Sequence, residues 1–232
     1  PVVIAAVVLL LWLNYLWERR RAEALSTWCA AQGWGFDASK IRRPRYPYEL
    51  FERGSPRYQR CPAKKRLQEA TPGLPAAAVR MFEYHYEISN GDSSETYEFT
   101  CALVDPGVGL GCVELRPERL GDKLVQAMGF EDIDFEDPEF SRRFLVQARD
   151  RKHAYDLFDG AMMRYLCTRG DGYALETQGR ELLARAKGKA TRESFEAMER
   201  FLRGFLAQLP RTLVNAERTS RGLEPLLEAG NA

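Results

Sequence analysis

The densest group of chemically capable side chains is an acidic segment, Glu131–Glu139, in which six of nine residues are carboxylates. Carboxylates at this density could bind Ca²⁺, act as general acid and base, or form a charged docking surface. Calcium loops usually place a glycine at their sharp turn, and this segment contains none. Ile133 and Phe135 alternate with the acids, as in an edge strand. We predict a solvated segment whose candidate partner surface is formed by Glu131, Asp132, Asp134, Glu136, Asp137 and Glu139.

Histidines offer little scope for general-base catalysis, because His85 and His153 are the only two in the chain. Neither lies in a recognised nucleophile motif such as G-x-S-x-G. His85 falls on the polar side of an alternating segment, and His153 falls in the first turn of a predicted helix. We therefore predict that both side chains are solvated, and we assign no catalytic residue.

Glycines and cysteines do not indicate a cofactor. The segment Asp105–Gly111 reads D-P-G-V-G-L-G, but it leads into a predicted strand at Cys112–Leu115, whereas a dinucleotide-binding loop leads into a helix. A hairpin turn is the better interpretation. The five cysteines lack C-x-x-C spacing, and their odd number favours reduced thiols over a disulfide framework. We predict no metal site and no cofactor.

Charge is distributed unevenly along the chain. Residues 1–17 carry no charged side chain, while residues 18–66 contain thirteen Lys or Arg against five Asp or Glu. The net charge of the whole chain is +1, so residues 67–232 are acidic in balance. Within Lys40–Arg66 the cations are interspersed with aromatic residues, a composition that suits anionic lipid headgroups or single-stranded nucleic acid. Because this segment closely follows the apolar run, we favour lipid headgroups over nucleic acid.

The apolar run at residues 1–17 reads PVVIAAVVLLLWLNYLW and contains one strongly polar residue, Asn14. As a helix it spans about 25 Å, close to the ~30 Å hydrocarbon core of a bilayer. The chain starts without Met, and we expect upstream residues that lengthen the run. A cleaved signal peptide and a buried core helix are the alternatives, but the positive charges follow the run instead of preceding it. The sequence therefore predicts a transmembrane helix.

The residues that end this run predict its orientation. Amphipathic aromatic rings prefer the headgroup level, and positive residues that flank a span stay on the cytoplasmic side. We therefore predict a single-pass protein of the inner (plasma) membrane with its C-terminal domain in the cytoplasm. The residues predicted to lie at the membrane interface are Trp12, Tyr15, Trp17, Arg19, Arg20 and Arg21.

The remaining elements predict a mostly antiparallel sheet. In residues 79–88 and 95–104 apolar and polar side chains alternate with the period of a strand, and the intervening SNGDSS has turn composition. The two segments predict a hairpin with one solvated face. This order predicts an α+β domain with a mostly antiparallel sheet and about three helices on one face. Further strands are predicted at 110–115, 139–148 and 173–187, and helices at 117–128, 150–167 and 191–209.

The predicted domain organisation follows from these elements. Residues 18–36 continue the first helix with an apolar stripe of Leu25, Trp28 and Cys29, and Gly33 is placed to end it. Prolines and glycines make the next segment irregular. The predicted parts are a transmembrane helix at 1–17, a juxtamembrane helix at 18–36, a basic linker or lead-in at 37–77, a cytoplasmic α+β domain at 78–210 and a polar tail at 211–232.

Several short motifs occur along the chain in a recognisable order: Gln32-Gly33-Trp34, Met81–Tyr86, Leu115–Glu118, Asp132–Phe135 and Glu139–Phe144. Together with the N-terminal apolar helix, they resemble a group of uncharacterised bacterial single-pass proteins with one cytoplasmic α+β domain. The resemblance covers most of residues 1–210. It implies a bacterial inner-membrane location, and it implies no reaction, cofactor or catalytic residue.

The leading functional hypothesis is a membrane-anchored, non-enzymatic interaction or scaffold module that presents its sheet or its acidic segment to an unknown cytoplasmic protein. The alternative is an enzyme that acts on lipid or a membrane-associated substrate, with carboxylates such as Asp132 or Asp134 as acid or base. The expected partners are the lipid bilayer, its anionic headgroups and a cytoplasmic protein. The sequence indicates no particular oligomeric state.

Overall fold

A ten-stranded sheet and six α-helices form the parts of the chain that the computed structural model describes, residues 2–91, 93–118 and 129–226. A 3₁₀ turn at Glu49–Glu52 separates β2 from β3. The strands are β1 (Gly35–Phe36), β2 (Lys40–Arg42), β3 (Arg57–Leu67), β4 (Ala77–Asn90), β5 (Ser93–Asp105), β6 (Val113–Pro117), β7 (Glu131–Asp132), β8 (Phe144–Ala148), β9 (Ala174–Gln178) and β10 (Glu181–Lys187). The helices are α1 (Val2–Ala31), α2 (Pro138–Arg143), α3 (Arg151–Leu157), α4 (Gly160–Arg169), α5 (Arg192–Ala207) and α6 (Arg211–Ser220).

The sheet confirms the predicted α+β class and the antiparallel pairing. Its strand order is β1-β3-β4-β5-β10-β9-β6-β8-β7, and β2 also pairs with β3. All of these pairs are antiparallel. The two longest strands, β4 and β5, form the predicted hairpin, in which Phe82 lies opposite Cys101 and Tyr86 lies opposite Tyr97. This hairpin is the centre to which the rest of the fold attaches.

The helices cover one face of the sheet, as predicted, but the described residues form six helices instead of about three. Their buried side chains share one apolar core with alternate residues of the strands, such as Met81 of β4 and Val104 of β5. The amphipathic helix α5 begins after the predicted cap Thr191, whose side chain accepts a hydrogen bond from the backbone N–H of Ser194. In the segment predicted as a polar tail, α6 forms and buries Val214 in the same core.

The opposite face of the sheet carries a second, mainly aromatic cluster. Phe82, Tyr84 and Tyr86 of β4 pack there with residues of the 3₁₀ turn and its flanks. The rings of Phe51 and Tyr84 meet edge to face with their centroids 4.7 Å apart. Because alternate residues of a strand point to opposite faces, the hairpin supplies both cores at once.

The hairpin lacks the solvated face that its alternation predicted, and this correction has a structural cause. Glu83, which is 1% exposed, and His85 are both buried on the helix side. The His85 ring stacks on Tyr58 at a centroid distance of 4.3 Å, and its Nε2 lies 3.0 Å from Oε1 of Glu87. The prediction that His85 is solvated is therefore wrong, because neighbouring elements supply polar partners inside the fold. His153 is half-buried.

Residues 37–77, which the sequence suggested were a basic linker or lead-in, belong largely to the sheet. They contain β2, the 3₁₀ turn and all of β3, which pairs with β4 from Arg57↔Tyr86 to Leu67↔Ala77. The proline within β3, Pro62, lies where the register shifts between Arg60 and Ala63. A bulge of this kind tolerates a residue that cannot donate a ladder hydrogen bond, so the proline did not exclude a strand.

Two other predicted elements are divided in the structure. The predicted strand at 139–148 is the short helix α2 followed by β8, because Asp137 caps a helix start with its carboxylate. The predicted helix at 150–167 is two helices, since Asp159 caps a second start. The helix predicted at 117–128 starts at the end of β6, and its residues 119–128 lie outside the described residues.

The membrane prediction is wrong as stated. Across residues 2–91, 93–118 and 129–226 there is no helix with enough length and apolarity to cross a membrane. The helix α1 runs without interruption through the segments predicted as transmembrane and juxtamembrane. The charged residues 18–21 directly follow the apolar residues of this helix. The predicted single-pass inner-membrane location with a cytoplasmic domain is therefore not supported.

Candidate functional site

The N-terminal half of α1 stands outside the folded core. We call residues 4–17 the apolar end. Ten of its large apolar side chains are between 48% and 70% exposed, and Leu16 is half-buried. Among the described residues only Ile41, Tyr155 and Leu223 elsewhere are comparably exposed. Contiguous apolar surface of this kind is rare on soluble proteins and marks an interaction site. The exposed residues of the apolar end are Ile4, Val7, Val8, Leu9, Leu10, Leu11, Trp12, Leu13, Tyr15 and Trp17.

The two halves of α1 differ because their apolar residues are arranged differently. From Arg21 onward, the buried residues Arg21, Leu25, Trp28 and Cys29 recur at helical spacing and form one stripe. In the apolar end the apolar residues surround the helix, so packing on the sheet can cover only part of them. The C-terminal half therefore docks, and the apolar end projects.

Arg21 docks the helix onto the sheet. Its guanidinium donates hydrogen bonds to the Glu83 carboxylate of β4, to the backbone oxygen of Ala190 and to Glu18. Burial alone would lower the pKa of Arg21, but the hydrogen bonds to Glu83 and Glu18 outweigh it and raise the pKa. The sequence carried one signal for this role, since Arg21 precedes Leu25 by one helical turn on the same stripe. The charge of Arg21 alone assigned this residue to the membrane interface and did not show that it contacts the sheet.

A collar of one tryptophan and four charged residues lies at the base of the apolar end; we define it as Trp17, Glu18, Arg21, Arg60 and Lys189. The Nζ of Lys189 lies 2.7 Å from Oε1 of Glu18, and Nη1 of Arg60 lies 3.4 Å from its Oε2. Burial would raise the pKa of Glu18, but hydrogen bonds from Lys189 and Arg21 outweigh it and lower the pKa. The Trp17 ring has Arg21 at 5.3 Å and Lys189 at 5.2 Å from its centroid.

An exposed basic edge lies beside the collar; we define it as Lys40, Arg42, Arg43 and Arg45. In the sheet Lys40 pairs with Arg60, which places the basic edge next to the collar. Burial and the nearby charges of Arg60 and Arg42 lower the pKa of Lys40. None of the four cations forms an ion pair with an acidic residue within the described part of the chain. Ile41, between two of them, is 44% exposed.

The structure separates the predicted interface residues. Arg19 lies on the outside of the helix, where its Nε is 2.9 Å from Oε1 of Glu23. Arg21 is buried, and it therefore faces the sheet, away from any surface that the apolar end contacts. The members of the predicted set that remain exposed are Trp12, Tyr15, Trp17, Arg19 and Arg20.

The acidic segment does not gather into one site. Asp132 of the edge strand β7 accepts a hydrogen bond from Gln147 at 2.7 Å, Asp137 caps α2, and Glu139 pairs with Arg143 at 3.0 Å. Each of these carboxylates thus has a local structural partner. The remaining three carboxylates of the predicted partner surface, Glu131, Asp134 and Glu136, are exposed.

A cleft beside this segment lacks the two carboxylates that the enzyme hypothesis nominated, Asp132 and Asp134. The cleft, of about 620 Å³, is lined by Glu139, Arg142, Arg143 and Asp171 among others, and Asp132 and Asp134 are not part of it. The carboxylates nominated as acid or base are therefore not assembled with these arginines. Within the described residues, no group of three or more His, Cys, Asp or Glu side chains is arranged to hold a metal ion.

Comparison with known proteins identifies a fold but no family. No protein-family model matches the chain, and no curated protein sequence matches it. A similar solved structure is the crystal structure of the mycobacterial trehalose monomycolate transport factor A, TtfA, with a TM-score of 0.57 and 14% sequence identity. The similarity covers 90% of this chain and 99% of that chain. At this identity the comparison shows a shared fold.

Proposed function

We propose that this protein is a membrane-associated, non-enzymatic factor in lipid transport that contacts a lipid surface through its apolar end. The observation that carries the proposal is the exposure of the apolar end beside a collar and a basic edge. The similar fold of TtfA, a trehalose monomycolate transport factor, supports the choice of lipid transport among membrane-associated roles.

The energetics favour a lipid surface over water for this part of the molecule. Transfer of one exposed Leu side chain into an apolar environment stabilises it by about 1.5–3 kcal/mol. The apolar end contains five leucines at residues 9–16, so insertion of one side of the helix suffices for measurable binding. Each cation near an anionic leaflet adds about 1 kcal/mol. The basic edge therefore predicts a preference for anionic lipid.

The charge distribution across the sheet gives the proposed orientation. The basic edge extends the side of the sheet where β1 and β3 lie, whereas β7 and the acidic segment form the opposite end of the strand order. An anionic lipid surface attracts the first and repels the second. The acidic segment would then point away from lipid, where it is available as the proposed surface for a protein partner.

Flotation with lipid vesicles tests this function. We expect the purified full chain to float with vesicles of phosphatidylcholine, and more completely with vesicles that also contain phosphatidylglycerol. Replacing Leu9, Leu10 and Leu13 together by Gln keeps helix propensity and should weaken binding to both vesicles by more than about tenfold. Leu223→Gln, which changes an exposed leucine outside α1, is the matched control.

A second variant tests how much the basic edge contributes to binding of anionic lipid. The double substitution Arg42→Gln and Arg43→Gln should reduce binding to the anionic vesicles by roughly tenfold or more and leave binding to phosphatidylcholine unchanged. Arg200→Gln, at an exposed position on α5, is the control. A full chain that stays unbound in both vesicle preparations, or a triple leucine variant that binds like the native chain, would contradict the proposal.

A further inference from the structure

A small polar pocket lies on the sheet face opposite α1. In strands β6, β9 and β10, the residues Leu115, Leu175 and Ala184 belong to the helix-side core, so their neighbours along each strand point to the other face. Four of those six neighbours are charged, namely Glu114, Arg116, Glu176 and Arg185. The pocket that they form with the 3₁₀ turn and the chain after β8 is lined by charged residues that include Glu114, Arg116, Glu176, Arg185, Arg53 and Arg149.

The size of the pocket restricts what it can hold. Its volume is about 140 Å³. Sites for drug-sized ligands usually have about 300–1,000 Å³, and one water occupies about 30 Å³ of liquid. A single small polar group fits this space, whereas an acyl chain suits neither its size nor its charged lining.

One buried donor in the pocket has no partner in the described structure. Arg116 is 8% exposed, and its Nε donates a hydrogen bond to Glu114, but its Nη1 is buried without any acceptor. Leaving a charged donor buried and unsatisfied costs free energy, so this atom needs an acceptor. Arg116 lines the pocket, so a ligand oxygen held there can approach its guanidinium group.

The overall charge of the lining also favours an acceptor. Four arginines and three glutamates line the pocket. Two glutamates are paired, Glu114 with Arg116 and Glu49 with Arg53. Burial, and then the neighbouring charge of Glu114, raise the pKa of Glu176 to about 7. Near neutral pH this carboxyl is therefore partly protonated and can itself donate a hydrogen bond.

We propose that this pocket binds a phosphate group, with Arg116 as the buried donor and Arg149 as the exposed cation at the rim. The planar guanidinium group matches the spacing of phosphate oxygens and can donate two parallel hydrogen bonds. The Arg149 guanidinium lies 5.7 Å from the centroid of the Phe130 ring, a position from which it can turn towards the ligand. The site lies away from the apolar end, so it does not depend on the proposed function.

Two soluble probes identify the source of the phosphate. Isothermal titration of the full chain with inorganic phosphate and with glycerol 3-phosphate should show binding of at least one. Binding of glycerol 3-phosphate that is roughly tenfold tighter than that of phosphate would assign the site to a phospholipid headgroup, because each further contact adds affinity. Equal affinities would assign it to free phosphate. If neither probe binds, the proposal is overturned.

Substitutions of Arg149 and Arg116 test whether these two residues bind the phosphate group. Arg149→Gln, at an exposed position that should not affect folding, should weaken binding by about fivefold or more, and Arg116→Lys, which keeps the charge but loses the planar fork, by about tenfold or more. Arg200→Gln is the control. Urea unfolding of each variant shows whether it is folded. Folded Arg149→Gln and Arg116→Lys proteins that both bind like the native chain would overturn the proposal.

The charge on Glu176 provides a further readout. The charged groups that face it are Glu114 and Arg116 on β6, Arg185 on β10, Glu49 and Arg53 at the 3₁₀ turn, and Arg149 after β8. Sulfate keeps a constant charge near neutral pH and is a suitable probe. Its binding should weaken as the pH rises from one unit below to one unit above the pKa of about 7, because Glu176 becomes an anion. The Glu176→Gln variant should lose this dependence, and an unchanged dependence would overturn the role of Glu176.

Discussion

At the scale of single residues, the buried carboxylate Glu83 and the half-buried carboxylate Glu176 have opposite surroundings. Glu83 accepts hydrogen bonds from Arg21 and from the backbone N–H of Ala190, so its negative charge is directly compensated. Glu176 lies near Glu114, on the strand next to its own, and burial and that charge raise its pKa to about 7. The first carboxylate holds two elements together, and the second makes stability depend on pH.

This difference predicts the pH dependence of unfolding. In the unfolded chain Glu176 ionises near its ordinary pKa of 4.5, so the folded protein holds an extra proton between that value and about 7. The resulting stability is fully present below 4.5 and is lost as the pH rises through about 7. We expect Glu176→Gln to exceed the native chain in free energy of unfolding by up to about 3 kcal/mol above that pH, and to match it in acid.

Urea denaturation over this pH range measures the effect. Glu196→Gln, which changes a half-exposed carboxylate on α5 outside the pocket, should have the same pH profile as the native chain. Parallel profiles for the native chain and Glu176→Gln would show that the carboxyl group does not hold an extra proton in the folded state.

At the scale of elements, α1 combines a docked half and a projecting half in one continuous helix. The docked half is positioned by Arg21 and by aromatic packing, in which Trp28 meets Trp34 at 6.5 Å and Phe195 at 6.4 Å between ring centroids. Trp34 in turn donates a hydrogen bond to Glu199 of α5 at 2.8 Å. These contacts fix the direction in which the apolar end leaves the domain.

The ion pair between Arg21 and Glu83 should therefore contribute more to stability than any exposed pair of α1. Removing one partner of a buried pair leaves an uncompensated charge and costs about 3–5 kcal/mol. We expect Arg21→Ala to lower the free energy of unfolding by this amount, as measured by urea denaturation. Adding Glu83→Gln to that variant should recover part of the loss, because it removes the uncompensated charge.

Arg19→Ala is the matched control, since the pair of Arg19 with Glu23 is exposed on the same helix. Exposed pairs are screened by water and contribute little. Equal losses for Arg19→Ala and Arg21→Ala would mean that Arg21 does not dock the helix.

At the scale of the whole molecule, the sheet is covered on both faces and the apolar end lies outside both cores. The helix-side core and the aromatic cluster together contain none of residues 4–17. The basic edge and the acidic segment lie at opposite ends of the strand order. The molecule thus keeps the proposed lipid-contact and partner surfaces apart from the cores that stabilise it.

This separation predicts the result of a deletion. Removing residues 4–15 leaves the collar and both cores intact, so the free energy of unfolding should change by less than about 1 kcal/mol. Aggregation in the absence of lipid should decrease, because the exposed apolar surface is gone. Urea denaturation and analytical ultracentrifugation measure the two effects. A loss of cooperative unfolding in the deleted chain would show that the apolar end packs against the domain.

The sequence by itself determined features that depend on local periodicity and composition. The alternation in residues 79–104 predicted the hairpin, Thr191 predicted the start of α5, and the order of charges predicted a basic region beside an apolar one. The same locality explains the failures at the membrane span and at residues 37–77. The hydropathy of residues 1–17 does not show that the charged residues after them pack on the sheet. Prolines in residues 37–77 suggested a linker, but a bulged strand tolerates a proline.

The tertiary structure alone decided which polar side chains are buried. Arg21 meets Glu83 across sixty-two positions of sequence, and the proposed phosphate pocket combines strands β6, β9 and β10 with the 3₁₀ turn. A polar residue in an alternating strand looks solvated until a distant element covers that face. Burial of a charge depends on the partner that the fold brings to it, and that partner is set by long-range pairing that no local pattern encodes.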